Sequence, residues 1–441
     1  MRKTLLALFA VAVLCSAAFA LDRQPGADYH ARREALAKKA GGVVVLLAPL
    51  EGFDSVYDFR QDDDFYYLSG VTTPKAALVI APAREAKGDV AARSYTEILF
   101  LPPRNLRMER FTGPQLGGDD PEAPKVTGFD RVEDIGKLPQ EVNALLAGQR
   151  PVVFTELSTP ESRPASADAL GFLQHSMVVG FFEEVKPMLA SLRTTKDAGE
   201  IELIRKAVDA SVAAHFAAMR ATKPNMKEYE ISAVLQYEWT RRGCERPSYS
   251  PIVGSGHNST VLHYGENSAT MKSGDVVVID AAAEYSMYAA DITRTLPVNG
   301  HFTARQKEIY DIVLGAQEAA AAAFVSGKSR IGGDPEVSLD KVARDYIKTH
   351  GKDLHGEPLD KYFIHGLGHY IGLNVHDPDD YNVPLAPGMT FTIEPGIYIP
   401  EENLGVRIED DYLVGADGKL IKLSATLPSR AEEVEKAMAG K

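Results

Sequence analysis

In the C-terminal half of the chain, apolar runs of strand length repeatedly end on a carboxylate or an imidazole. Val-Val-Val-Ile runs into Asp280, and Tyr-Ala-Ala into Asp291. Thr-Phe-Thr-Ile ends on Glu394, and Gly-Val leads into Arg407, Ile408 and Glu409. Between them lies His365-Gly-Leu-Gly-His369, which continues through Tyr-Ile-Gly-Leu-Asn-Val to His376 and Asp377. A carboxylate at the end of a buried strand is costly unless something pairs with it. One such aspartate is ordinarily a turn residue. A set of them constrains the fold to one that gathers negative charge in a single place and neutralises it.

Spacing suggests how. Residues 281–288 have the length of a hairpin, and adjacent antiparallel strands could aim Asp280 and Asp291 at one point. Arg407 and Glu409 share a strand face by period two. Glycines between 366 and 372 let the backbone pack closely, and three of the chain's 11 histidines fall within 365–376. Another, His263, follows the Gly-rich turn at 254–256. Asp280, Asp291, His369, Glu394 and Glu409 form an oxygen-rich donor set of the kind that holds paired divalent ions, whose charge relieves the repulsion among carboxylates. The single-zinc string His-Glu-x-x-His does not occur, and no cysteine cluster offers a structural zinc site.

The chain opens with Arg2 and Lys3, an apolar run at 5–14, and Ala18-Phe19-Ala20. That pattern reads as a secretory signal peptide cleaved after Ala20, which predicts a periplasmic or secreted protein. The run is too short to span a bilayer, and no later stretch is apolar enough. Cleavage would leave 46 Lys and Arg against 61 Asp and Glu, a net charge of −15 in place of −13. So acidic a surface argues against nucleic acid as a partner. Cys244 would be the only cysteine left, which rules out an internal disulfide.

A chain of 441 residues calls for two domains. From 21 to 180 it reads as mixed α/β, with helices at 27–39 and 137–146 and strands at 43–47, 65–68, 77–80, 97–101 and 152–155. Pro and Ser at 159–166 mark a surface loop. From 187 to 441, helices at 200–220, 227–242, 304–324, 338–350 and 430–438 alternate with strands. The fold class is α/β (α+β).

The order Asp280, Asp291, His369, Glu394, Glu409 resembles that of the pita-bread metallopeptidases, which include methionine aminopeptidases, prolidases and aminopeptidase P. Longer strings narrow the resemblance. Tyr288-Ala-Ala-Asp-Ile-Thr-Arg-Thr, the 365–377 string, Gly405-Val-Arg-Ile-Glu-Asp-Asp, the linker Leu192-Arg-Thr-Thr-Lys-Asp-Ala-Gly-Glu and Phe59-Arg-Gln-Asp-Asp-Asp-Phe-Tyr-Tyr-Leu-Ser-Gly are similar to those of bacterial aminopeptidase P. The resemblance implies a creatinase/aminopeptidase P-like domain at 21–180 and a pita-bread catalytic domain at 187–441. It implies two divalent ions per subunit, with manganese expected and zinc or cobalt as alternatives. Asp280 would bind one ion through both oxygens, Asp291 and Glu409 would bridge the pair, and His369 and Glu394 would complete the second.

The implied reaction is hydrolysis of the Xaa-Pro bond at a peptide N-terminus by a hydroxide bridging the ions. The implied catalytic group is His263, His365, His376, Glu394 and Arg407, with His263, His376 and Tyr398 binding the peptide. His376 or His263 would stabilise the oxyanion, and Glu394 would carry a proton to the proline nitrogen. Prolidases share all five ligands but cut dipeptides only. A non-catalytic or creatinase-like member would lack one or more ligands, and a methionine aminopeptidase would lack the N-terminal domain. The resemblance also implies a homodimer or homotetramer, in which Phe111 is the loose counterpart of an aromatic residue that reaches a neighbouring cleft. Pro378-Asp379-Asp380-Tyr381 departs from the family's hydrophobic-glycine continuation at the cleft edge.

Overall fold

The computed structural model describes residues 21–50, 59–147 without 87, 89 and 90, 152–157, and 181–440 without 379, 380 and 382. The leader at 1–20, the Pro/Ser stretch at 159–166 and part of the 378–381 loop lie outside these residues.

In the N-terminal half, six strands form one mixed sheet. Their order is Arg131–Asp134, Thr96–Leu101, Ala77–Ala81, Val43–Leu47, Val152–Thr155 and Phe181–Glu184. The central strands are apolar at every position because both faces are covered. Val44, Leu46, Leu78 and Ile80 join the main core. Val43, Val45, Val79 and Phe100 face the other way, onto Leu138, Val142 and Leu146 of the helix Leu138–Leu146.

Sequence reasoning missed both edge strands and misassigned 65–68. That stretch belongs to the helix Asp63–Ser69. Asp62 caps it by accepting from the backbone N–H groups of Asp64 and Phe65, and Gly70 closes it in the left-handed conformation. The aromatic run suggested a strand, but the cap outweighs that propensity, and the whole helix is buried enough for Phe65, Tyr66, Tyr67 and Leu68 all to pack inside.

Among the described residues of the C-terminal half, the strands pair antiparallel. Val276–Asp280 lies between Ile252–Ser255 and Thr293–Pro297. Thr390–Ile393 pairs with Asp410–Val414, and Gly396–Ile399 with Leu404–Arg407. A lone bridge between Thr293 and Glu409 joins the two groups. The helix Ala198–Ala221 begins at a capping box of Asp197 and Glu200, and Ala304–Ala322 at one of Thr303 and Gln306.

Two local expectations change here. Asp280 and Asp291 do lie on neighbouring chain segments, since Asp280 pairs with Thr293. The residues between them, however, leave that sheet and fold as a separate hairpin, Ala283–Tyr285 against Tyr288–Ala289. It turns at Ser286 and Met287, both at positive φ (50° and 74°), with the Ser286 N–H held by the Glu245 carboxylate. Arg407 and Glu409 do not share one strand: Leu404–Arg407 ends at Arg407, and the next strand, Asp410–Val414, begins in another sheet. The break at Ile408 lets both side chains reach the same cleft.

Candidate metal centre

A cleft of about 950 Å³ opens into the C-terminal half. Asp280, Asp291, His369, Glu394, Glu409, His263, His365, His376 and Arg407 all line it. These are the candidate residues of the sequence reading except Tyr398, which is buried behind it (3% exposed). Phe111 lies elsewhere, 78% exposed on the N-terminal half, with exposed Leu106 and Met108 nearby in sequence.

Asp291, His369 and Glu409 place donor atoms within 4.8 Å of one another. His369 Nδ1 donates to the Tyr370 carbonyl at 3.1 Å, which turns Nε2 towards Asp291 Oδ2 at 3.3 Å and Glu394 Oε1 at 3.4 Å. A backbone carbonyl on the far nitrogen is the usual way to orient a histidine ligand. Asp280 and Asp291 are joined through the Tyr249 hydroxyl, 2.5 Å from Asp280 Oδ1 and 2.6 Å from Asp291 Oδ1. Glu409 Oε2 accepts from the Thr293 hydroxyl at 2.5 Å.

The electrostatics show what the set lacks by itself. Burial, then the charges of Asp291, Glu394 and Asp280, raise the Glu409 carboxyl well above its ordinary value. Burial and Asp291 raise Asp280 despite Arg407. Burial pushes Glu394 up to about 8, although His369 opposes it. Burial works against a charged His369, but its hydrogen bond to Asp291 and the Glu394 charge outweigh that and push the ring up to about 9. A proton on His369 Nε2 thus stands among carboxylates that otherwise cannot all ionise. Hard and borderline divalent cations suit this oxygen-rich set and would relieve the same repulsion. The residues fit a divalent metal site.

Behind the cleft carboxylates the hydrogen-bond partners determine where the protons sit. Arg407 Nη2 donates to Asp280 Oδ2 at 2.7 Å, and Nη1 to the Tyr398 hydroxyl at 2.8 Å. Tyr398 must then donate its own proton to His365 Nε2, 2.8 Å away. His365 Nδ1 carries the other hydrogen and donates to the Gly366 carbonyl at 2.8 Å. Burial and Arg407 push His365 down to about 4, so the ring is neutral.

The loop that carries His263 is fixed by Glu228, a fully buried carboxylate at the start of the helix Glu228–Thr240. It accepts from Ser255 N and Oγ at 2.8 Å, from Asn258 Nδ2 at 3.2 Å and from Ala269 N at 2.9 Å. His376 packs edge-on against His369 with ring centroids 4.4 Å apart. Asp377, next to it, accepts from Arg193 at 2.6 Å and Lys196 at 3.0 Å.

Sequence reasoning did not single out Tyr249, Thr293 or Glu228. Thr293 could have been reached, because it stands two residues after Asp291, at the start of the strand Thr293–Pro297. Tyr249 and Glu228 carry no periodic signal.

Residues 202–416 match Metallopeptidase family M24, and residues 29–154 match Aminopeptidase P, N-terminal domain. The Xaa-Pro aminopeptidase of Escherichia coli (strain K12) is 34% identical over 442 residues, covering 93% of this chain and 97% of that relative. The solved proline aminopeptidase P II from Yersinia pestis has a TM-score of 0.81 at 32% identity, covering 95% of this chain and 100% of its own. Zinc-substituted E. coli aminopeptidase P in complex with product also has a TM-score of 0.81 at 32% identity, with 95% and 99% covered. The likeness runs through both halves, so an aminopeptidase P N-terminal domain ahead of an M24 domain is the architecture here, as expected. That likeness, together with a cleft built from the very strings that resembled bacterial aminopeptidase P, makes this chain a member of the aminopeptidase P family of M24 metallopeptidases.

Proposed function

We propose that the chain cleaves the bond between an N-terminal residue and a following proline, using two divalent cations held by Asp280, Asp291, His369, Glu394 and Glu409, with manganese as the expected metal. The convergence of donor atoms from Asp291, His369 and Glu409 within 4.8 Å carries this reading. Ions bound there supply a water of lowered pKa and a Lewis acid for the scissile carbonyl.

The protein's own groups orient the peptide and move protons. His263 and His376, both exposed in the cleft, donate to the carbonyl oxygen as it gains charge. Burial and the neighbouring His369 lower the His376 pKa, which keeps that ring neutral near pH 7. Glu394, beside both the attacking water and the leaving group, takes the proton that the water gives up and passes it to the leaving proline nitrogen. His365 has both nitrogens engaged and acts as a positioning residue through Tyr398 and Arg407.

The test is hydrolysis by metal-free protein refilled with Mn²⁺, offered an Xaa-Pro dipeptide beside an Xaa-Pro-Xaa tripeptide. Faster cleavage of the tripeptide is expected. Cleavage of the dipeptide alone would make the protein a prolidase with the same centre. No cleavage of either, with metal bound, would overturn the proline-specific reading.

Metal and protons compete for the same atoms. With His369 protonated up to about 9 and Glu394 up to about 8, metal affinity should climb as pH rises towards 9. Calorimetric titration with Mn²⁺ in buffers of differing ionisation enthalpy is expected to show release of roughly one to two protons per chain at neutral pH. Uptake with no proton release would contradict this ligand set.

A further inference from the structure

Gln317 is a polar residue on the buried face of the helix Ala304–Ala322, among Val313, Leu314, Ala316 and Ala320. It is 1% exposed. Its amide nitrogen donates to the Ile393 carbonyl and to Asp410 Oδ2, both at 2.9 Å, and is 3.3 Å from the Ile408 carbonyl. All three neighbours are acceptors, so the nitrogen and not the oxygen must face them.

These acceptors are not scattered. Ile393 immediately precedes Glu394, while Ile408 and Asp410 flank Glu409. Ile393 and Asp410 also form the last paired rung between their strands; the same two chain segments pair again from Gly396 and Arg407, so Glu394 and Glu409 both lie in the interruption between the two ladders. One amide therefore ties, from behind, the backbone positions from which two cleft carboxylates emerge. Asp410 extends the tie to Arg294 at 2.7 Å and Lys422 at 2.6 Å, and Arg294 also donates to the Glu409 carbonyl at 2.8 Å. An apolar side chain would fill the same space in the core. A buried amide costs more unless its bonds are met, and the arrangement that meets them is the one that sets Glu394 against Glu409.

We propose that Gln317 is a positioning residue for the metal centre: it holds the strand ends bearing Glu394 and Glu409 at the separation at which both carboxylates serve one cation pair. The inference rests on the metallopeptidase reading above and names a residue on a different element from any ligand.

The test uses full-length metal-free protein, as wild type, Gln317→Met and Gln317→Asn, titrated with Co²⁺. Binding is followed by visible absorption and calorimetry, and folding by far-UV circular dichroism and thermal melting. Methionine keeps the volume and removes both N–H groups. Asparagine keeps the amide one methylene short and serves if the methionine variant misfolds. Weaker Co²⁺ binding by roughly 10–100-fold, with a changed absorption band and an unchanged circular dichroism spectrum, is the expected result. A folded variant that binds Co²⁺ with wild-type affinity and spectrum, even if it melts earlier, would overturn the proposal and leave Gln317 a core residue. Failure of the wild type itself to take up Co²⁺ would overturn the metal-centre reading first, and the role of Gln317 with it.

Discussion

Asp291→Ala is expected to lower kcat/KM for an Xaa-Pro-Xaa peptide by on the order of 10³-fold or more, since several kcal/mol of charge stabilisation disappear and each 1.36 kcal/mol is tenfold. The carboxylate is central to the cluster. Oδ1 shares the Tyr249 hydroxyl with Asp280, and Oδ2 faces His369 Nε2. Its removal takes a donor from the point where Asp291, His369 and Glu409 meet. Stability should move differently from activity. Without metal, Asp291 stands beside Asp280, Glu394 and Glu409, whose carboxyls are raised first by burial and further by the charge of Asp291. The metal-free variant is therefore expected to melt close to the wild type. The rise in Tm that Mn²⁺ gives the wild type, a consequence of binding to the folded state only, should shrink or vanish. Activity within tenfold of wild type, with the Mn²⁺-induced rise intact, would show that Asp291 is not a ligand.

Arg193→Met is expected to cost about 3–5 kcal/mol of stability, the usual penalty for removing one partner from a buried charge network. Arg193 is 3% exposed and joins the two halves. It donates to Asp64 Oδ1 at 2.7 Å in the N-terminal half and to Asp377 Oδ1 at 2.6 Å beside the cleft. Asp377 keeps Lys196 in the variant, so Asp64 bears most of the loss. Burial already pushes Asp64 up to about 6 against the pull of Arg193, and removing the arginine raises it further. A carboxyl with a raised folded pKa penalises the folded state once pH passes its unfolded pKa, and the penalty grows until pH exceeds the folded value. The deficit measured by urea unfolding should therefore be smaller near pH 5 than near pH 8. An equal deficit at both would mean that packing, and not charge, sets it. Because Asp377 follows His376, a drop in kcat/KM should accompany the loss of stability.

Of the residues that converge on the cleft, several carboxylates were legible because they sit where an apolar run stops, and the histidines because they cluster among glycines. Strand patterning places the run inside, and a carboxylate there demands a reason. Glu394 after Thr390–Ile393 and Asp280 at the end of Val276–Asp280 are the clearest cases. Long Ala-rich helices were also readable, as Ala304–Ala322 and Ala198–Ala221 illustrate. The helix Asp63–Ser69 was not, because its three aromatic residues favour strands and the capping role of Asp62 was overlooked. The edge strands Arg131–Asp134 and Phe181–Glu184 escaped because neither alternates cleanly.

By itself, the sequence determined the chemical inventory: two aspartates, two glutamates and a histidine beside apolar stretches, with further histidines close by. It also determined the family, since the strings around those residues are continuous stretches of chain. Only the tertiary structure decided which atoms face one another. Tyr249 reaches Asp280 and Asp291, Glu228 holds the loop of His263, and Gln317 ties the roots of Glu394 and Glu409. Each is a hydrogen bond between residues far apart in the chain. Period and propensity describe neighbours within a turn or a strand, and a contact that closes only when distant elements pack leaves no trace in either.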